Sequence, residues 1–381
     1  VARLGTADQS NGRSSASAKS TPADARPRNR TLLLQALQAD GPQSRADLAR
    51  LSGLTPTTVS AVTAELISDG LIAEVGRKAS TSAGKPATLL AVEPDGRHII
   101  ALDLSDDDVI EAAVVNLAGK IVDRHSQARN GETGKKAAAA IVRLTRDLAK
   151  TLRRPLLGVG CATPGIVDDH GVVLTAAHVK WNDEPLAAKL TAAVQVPCYV
   201  ANDANAAVLA EYIASGADTE NLMLVRVGGG VGAGVVIGGE LFVGDQFAAG
   251  EIGHVVVDDE GALCKCGRRG CLEAIVSAPL LAQRLNGVSD NDRAHHLDLA
   301  GRHLGIVLAT LVGALNLSEI VLSGPMDLLD DRFRSAAIDT IRNRTFPTVG
   351  QHTAVRFSSL GDDGVLLGAA ALVLRNELGI V

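Results

Sequence analysis

The pattern of apolar positions divides the chain into three textures. Residues 1–28 are mostly Ser, Ala, Thr, Arg and Asp with almost no large apolar side chain. They cannot offset the entropy of ordering, so the pattern predicts a disordered basic tail. From about 29 to 94 the apolar residues fall at helical spacing. Leu32, Leu33, Leu34 and Leu37 predict a short helix ended near Gly41-Pro42. Ser44 then caps a second helix carrying Leu48, Ala49 and Leu51, stopped by Gly53. Thr55-Pro56 opens a third, with a hydroxyl cap, proline in the first turn, and Val59, Val62, Leu66 and Ile67 facing inward. Gly70 stands where a terminating glycine belongs. Strand-like runs Leu71–Val75 and Ala87–Val92 follow, separated by a polar loop. Three helices and a hairpin in this span predict a winged helix-turn-helix over 29–94.

Beyond Pro94-Asp95-Gly96 the period changes. Strand-like runs at 98–104, 110–115, 157–161, 196–201, 222–227, 233–237 and 319–323 alternate with helical stretches at 137–152, 203–214, 297–316 and 364–377. This is an α/β pattern with glycine-rich turns after strands, forming a second unit over 97–381.

Composition adjusts this picture in three places. The 381 residues are 46% hydrophobic, enough for a full core without staples. Phe, Tyr and Trp number only 5, 2 and 1, which argues against aromatic platforms for single-stranded nucleic acid. No stretch approaches the ~18 consecutive apolar residues of a transmembrane helix, so no membrane partner is expected. Five cysteines, three of them within 264–271, do not form a secreted disulfide framework, and a cytoplasmic protein is expected. The net charge of −6 is uneven: residues 1–100 hold 12 Lys/Arg against 9 Asp/Glu, and the remainder 25 against 34. Only the basic front suits a polyanion.

In a helix-turn-helix the second helix of the motif enters the major groove. Its leading residues here are Thr57, Thr58, Ser60 and Ala61, which lack the Arg or Lys that reads guanine bidentately. Base readout therefore rests on hydroxyl and methyl contacts. Phosphate anchoring falls to Arg30, Arg45, Arg50 and the hairpin cations Arg77, Lys78 and Lys85. A helical domain for protein contacts is the competing reading. The capped Thr-Pro helix, basic hairpin and charge asymmetry favour double-stranded DNA.

His254, Cys264, Cys266 and Cys271 form H-x9-C-x-C-x4-C, flanked by Gly267 and Gly270. Imidazole and thiolates are the ligand set of a structural Zn²⁺ site. Cys161 and Cys198 lie in strand-like runs and read as core thiols. The run ending at Ala201 leads into Asn202-Asp203, at the carboxyl end of a strand where ligands gather in α/β sheets. Asp203 there can deprotonate a substrate hydroxyl, or the pair can merely cap the following helix. Glu251, His254 and Glu273 flank the cysteine loop and suit a polyhydroxylated ligand, although solvated loop charges look the same. The glycine run 228–234 is either an anion nest or a hairpin turn.

These motifs together resemble the ROK family (repressors, open reading frames and sugar kinases). The segment GEIGHVVVDDEGALCKCGRRGCLEAIVS, 250–277, carries the likeness most specifically, and it extends from about residue 29 to the end. The resemblance implies an actin-like, two-lobed ATPase body of the ribonuclease H-like class. Lobe 1 is expected at about 97–205 plus the C-terminal helix 364–379, and lobe 2 at about 206–363. It implies zinc on His254, Cys264, Cys266 and Cys271. Sugar contacts fall to Gly165, Asn202, Asp203, Glu251, His254 and Glu273, with Asp203 the general base in kinases. The segment SRADLARLSGLTPTTVSAVTAELISDGLI, followed by GKPATLL, resembles the DNA-binding half of the family's repressors.

Departures from the family pattern decide between its branches. The D-x-G-G-T phosphate loop reads Asp103-Leu104-Ser105-Asp106-Asp107 here, with Asp108 next, so both glycines and the threonine are gone. Close backbone approach to phosphate is lost, and three carboxylates repel polyphosphate. Gly229 replaces the second loop's threonine, Ser323-Gly324-Pro325-Met326 lacks the usual glycine pair, and His178 stands where asparagine is frequent. ATP and Mg²⁺ are therefore not expected. The reading is a non-catalytic kinase homologue: a transcriptional repressor of carbohydrate metabolism, acting as a homodimer or dimer of dimers, whose operator binding responds to a sugar or sugar phosphate. A sugar-transport protein is an alternative occupant of the cleft, and an ATP-dependent sugar kinase with an accessory DNA-binding domain is the alternative function.

Overall fold

The computed structural model describes residues 22–78, 86–216 and 219–380. The chain opens with α1 (Pro22–Asp40), which buries Leu33, Leu34 and Leu37 against the helices that follow. The two-residue strand β1 (Gln43–Ser44) leads into α2 (Arg45–Ser52). Ser44 and Asp47 close that helix with a reciprocal capping box, and left-handed Gly53 ends it. In α3 (Pro56–Ser68), Thr55 accepts from the Thr58 N–H and Pro56 occupies the first turn. Strands β2 (Ile72–Arg77) and β3 (Thr88–Val92) form the antiparallel wing, and β1 pairs with the far edge of β3.

Helix α1 takes in residues 22–28, which the sequence pattern assigns to the tail. Its Arg26 and Arg30 bridge to Glu65 of α3 and to Asp69, which caps α3, and so anchor a segment that has little apolar surface of its own. Residues 1–21 lie outside the described residues, as does Lys85.

The body begins with β4 (His98–Asp103), β5 (Val109–Asn116) and β6 (Ile121–Ala128), an antiparallel meander. Helix α4 (Gly134–Thr151) crosses to β7 (Leu156–Thr163), parallel to β4. A small sheet of β8 (Ile166–Val167), β9 (Val173–Ala176) and β10 (Trp181–Glu184) intervenes before α5 (Leu186–Val194). Strand β11 (Cys198–Asn202) then pairs with β7, and α6 (Asp203–Ser215) follows without a break. The second sheet repeats the plan. Strands β12 (Leu222–Val227), β13 (Val231–Ile237) and β14 (Glu240–Leu241) form a meander. Next come α7 (Glu273–Val276), α8 (Ala278–Leu285) and α9 (Asp290–Leu315). Strand β15 (Glu319–Ser323) lies parallel to β12. Helices α10 (Asp331–Arg344) and α11 (Pro347–His352) then precede β16 (Ala354–Phe357), which is parallel to β15. Numbered within itself, each sheet has the order 3-2-1-4-5.

The last helix, α12 (Gly364–Leu378), returns to pack on α6 and on the first sheet. Gly368 makes that crossing possible: an added Cβ would sit 1.9 Å from the Ala206 carbonyl oxygen. Buried residues of α6, α12 and both sheets form one core with those of the winged head. Helix α9 is long and apolar enough to span a membrane by length and composition, but its buried face packs against α10 and the second sheet.

Candidate functional site

A cleft of about 370 Å³ opens at the carboxyl ends of β4, β7, β11 and β12. Sequence reasoning had marked Gly165, Asn202, Asp203, Glu251, His254 and Glu273, and all six line it. A larger, open groove between α9 and α10 contains none of them.

Asn202 accepts from the Ala204 and Asn205 N–H groups and donates to the Gly165 carbonyl at 3.0 Å. It is thus both the cap of α6 and the tie to the turn after β7. That turn requires glycine: Gly165 has φ +103°, and a Cβ would lie 2.1 Å from the Thr175 carbonyl oxygen. Asp203, in the first turn of α6, is buried, and both its oxygens are engaged. One accepts from the Ala204 N–H, the other from Arg226 Nη1 at 2.8 Å. Arg226 was not anticipated. Its sequence signal is a lone cation near the carboxyl end of an otherwise apolar strand, Leu-Met-Leu-Val-Arg-Val. Nearby Asp103 accepts from the Ser105 N–H at 2.8 Å, and burial pushes its carboxyl above the usual range against the pull of Arg226.

Of the three adjacent loop carboxylates, only Asp107 lines the cleft. Asp106 turns back to accept from the Asp108 and Val109 N–H groups. Buried Arg129 braces the loop from behind by donating to the Asp106 carbonyl at 2.6 Å.

On the opposite wall, Glu273 at the start of α7 accepts from the Val231 N–H, so the glycine run passes directly beneath it. A Cβ at Gly230 would come within 2.6 Å of the Glu273 carboxylate. Burial raises the Glu251 carboxyl, with His254 opposing and Asp203 and Glu273 reinforcing the shift. His254 points Nε2 towards Glu251 at 3.9 Å and Nδ1 towards Cys264 Sγ at 3.7 Å.

The ligand atoms of His254, Cys264, Cys266 and Cys271 lie within 4.8 Å of one another and could hold a metal ion. Cys266 and Cys271 Sγ are 3.6 Å apart. Metal–sulfur bonds of ~2.3 Å in a tetrahedron have edges of about 3.8 Å, so these donors fit such a site. The loop is closed by Cys264 N–H to Arg268 C=O and by bridges pairing Val256 with Cys271 and Leu263 with Arg269. Gly270 has φ +67°, and a Cβ would overlap the Asp258 carbonyl oxygen. The two remaining cysteines are buried as expected, and burial pushes the Cys198 thiol up to about 11.

In the head, Thr57, Ser60 and Ala61 are exposed on α3, whereas Thr58 is half-buried with its hydroxyl against that of Thr55. Four candidate phosphate anchors are already in ion pairs, Arg30 with Asp69 at 2.6 Å among them. Arg50 and Lys78 share Asp47 at 2.7 and 2.8 Å, and Arg45 reaches Glu74 at 3.4 Å. Arg77 is exposed on the wing.

Residues 99–376 match the ROK family and 27–73 match the winged helix-turn-helix DNA-binding family. Over 93% of the chain, and 96% of the relative, it is 27% identical to the xylose repressor of Bacillus spizizenii. It is 29% identical to the DNA-binding transcriptional dual regulator NagC of Escherichia coli K12, over 89% of this chain and 90% of that one. Among solved structures, a ROK family transcriptional regulator, homolog of the E. coli MLC protein, superposes with a TM-score of 0.81 at 24% identity. That match covers 93% of this chain and 98% of the regulator. A ROK family glucokinase from Streptomyces griseus in complex with glucose and AMPPNP gives 0.64 at 27% identity, over 72% of this chain and 98% of the kinase.

Proposed function

Because the chain belongs to the ROK family, with a winged head on a sugar-kinase-like body, we propose that it is a cytoplasmic, sugar-responsive, DNA-binding repressor of carbohydrate metabolism. The observation that carries this reading is the presence of both units in one chain whose likeness to a xylose repressor runs almost end to end. The head binds double-stranded operator DNA through Thr57, Thr58 and Ser60 at the bases and Arg45, Arg50, Arg77, Lys78 and Lys85 at phosphates. A homodimer, or a dimer of dimers, presents two heads to two half-sites. The sugar occupies the cleft lined by Gly165, Asn202, Asp203, Glu251, His254 and Glu273.

His254, Cys264, Cys266 and Cys271 would hold structural zinc, which fixes the loop between Glu251 and Glu273. His254 then serves both sites, with Nδ1 on the cysteine side and Nε2 towards Glu251. Asp203, the family's general base, is a vestige here. Its carboxylate is held by Arg226 and the helix start, and the strand-end loop offers Asp107 where a phosphate would approach. A coupled assay with Mg-ATP and hexoses should show no ADP release above background. Turnover abolished by Asp203→Asn would establish the kinase instead.

The deciding experiment is retardation of DNA from upstream of the chain's own gene, at two salt concentrations and titrated with a sugar panel. Binding that weakens with salt and is released by a sugar is expected. No retarded complex at low salt on any sequence overturns the reading.

A further inference from the structure

Two buried polar atoms at the cleft, on His178 and Ser105, have no hydrogen-bond partner among the described residues. His178 sits on the short turn 177–179 after β9 and lines the cleft, and its Nε2 is buried with no hydrogen bond. Leaving a buried polar atom unmatched is costly, so its persistence points to a partner from outside the described residues, such as a bound ligand. Ser105 also lines the cleft. Its hydroxyl is buried close enough to Asp103 to favour that carboxylate's charge, yet makes no hydrogen bond of good geometry.

The surroundings of His178 restrict what that partner is. Four carboxylates line the cleft, Asp107, Asp203, Glu251 and Glu273, against the two cations Arg226 and Lys265, and Arg226 is already bound to Asp203. Burial lowers the imidazole pKa, and Arg129 lowers it further against the opposing pull of Asp107 and Asp203. His178 is therefore neutral at physiological pH and supplies one donor and one acceptor. A hydroxyl satisfies either ring tautomer because it can donate or accept. A phosphate dianion only accepts, and it would enter a cleft with excess negative charge and low dielectric. The cleft volume, about 370 Å³, lies at the small end for ligand pockets and suits a single sugar ring.

Resting on the proposed sugar-responsive function, we infer that the effector is an uncharged monosaccharide and that His178 is a specificity-determining residue, its Nε2 hydrogen-bonded to one ligand hydroxyl. Sugar phosphates are excluded by these four cleft carboxylates, of which Asp107 stands in the loop that replaces the phosphate loop.

Calorimetry and thermal shift on the full chain test this with D-xylose, D-glucose, N-acetylglucosamine and the 6-phosphates of the two hexoses. At least one free sugar should bind, and a corresponding 6-phosphate at least tenfold more weakly. His178→Ala should weaken the free sugar by roughly tenfold, the loss of one hydrogen bond to a buried group. The monodeoxy analogue lacking the partner hydroxyl should bind wild type and His178→Ala equally, a result that a merely structural role would not give. His178→Asn, which retains a donor and an acceptor, should recover part of the loss. A phosphorylated sugar that binds more tightly and releases DNA overturns this inference and leaves the repressor reading standing. A sugar that binds both proteins equally overturns the role of His178. No sugar binding and no effect on DNA overturns both.

Discussion

Asp47 shows how one side chain governs a surface meant for another molecule. It receives hydrogen bonds from Ser44, ties down Arg50 and Lys78, and is only 5% exposed. Lys78 and Ser44 beside it hold its carboxyl well below the usual carboxylate range. A depressed folded-state pKa contributes stability that is present above the unfolded value, near 3.9, and is lost as pH falls below it. Asp47→Asn should cost about 1 kcal/mol at neutral pH through the broken capping box. It should also flatten the acid limb of the stability curve below about pH 4, as followed by thermal melts from pH 3 to 7. The same substitution frees Arg50 and Lys78, so nonspecific DNA affinity at low salt should hold or rise. Cys266 makes the contrasting case, since it is one of four side chains that could hold a metal ion and are proposed to bind zinc. Cys266→Ser should remove most bound zinc by elemental analysis and weaken the sugar response while leaving sugar-free DNA binding near wild type. Unchanged metal content and response would refute the zinc assignment.

At the scale of elements, what the sequence exposed was whatever is locally encoded. The capped helices of the head and the cysteine loop were legible because caps, glycine positions and ligand spacing are all set within a dozen residues. Strand β6 was missed because it is an edge strand: Ile-Val-Asp-Arg-His-Ser-Gln-Ala offers no buried run. Helix α10 was missed because its buried Phe333, Ala337 and Ile341 are separated by charges, giving only one residue per turn to the core. Arg226 could be seen as odd but not paired, because Asp203 lies 23 positions away in another strand's helix. The same holds for the joint between α6 and the second sheet. Buried Glu211 on α6 receives Arg356 of β16 at 3.0 Å, and Arg356 also holds Glu319 of β15. Arg356→Leu leaves a carboxylate that is 1% exposed without its counter-charge, and should destabilise the chain by about 3 kcal/mol or more in denaturant titration. Pairing it with Glu211→Gln should recover part of that loss, because the stranded charge is then gone.

Over the whole molecule, the question is how a sugar in the proposed cleft at the head of α6 would alter the DNA-binding surface. The elements in between are contiguous. Helix α6 crosses α12 at Gly368, and α12 ends at Gly379, where a Cβ would lie 2.4 Å from Thr31 of α1. A second joint runs through the short link between β3 and β4. Gly96 packs so closely on the end of α3 that a Cβ would sit 1.7 Å from the Gly70 carbonyl oxygen, and Arg97 donates to the Asp69 carbonyl beside it. The head is thus in backbone contact with the link that leads into β4, which suits a device that transmits a change of lobe angle as a change in head placement. Gly96→Ala forces that contact apart without touching the cleft or α3's exposed face. Sugar affinity of the DNA-free protein should stay within about twofold of wild type, while the ratio of DNA affinities with and without sugar, typically 5–150-fold for such coupling, should shrink several-fold. Linkage adds an internal check, because operator DNA must weaken sugar binding by the same factor that sugar weakens DNA binding, in wild type and variant alike. If Gly96→Ala folds with an unchanged coupling ratio, the signal does not pass through this joint. Gln35→Ala, which removes the α1 contact to the Gly379 carbonyl, would then test whether it passes through α12 alone.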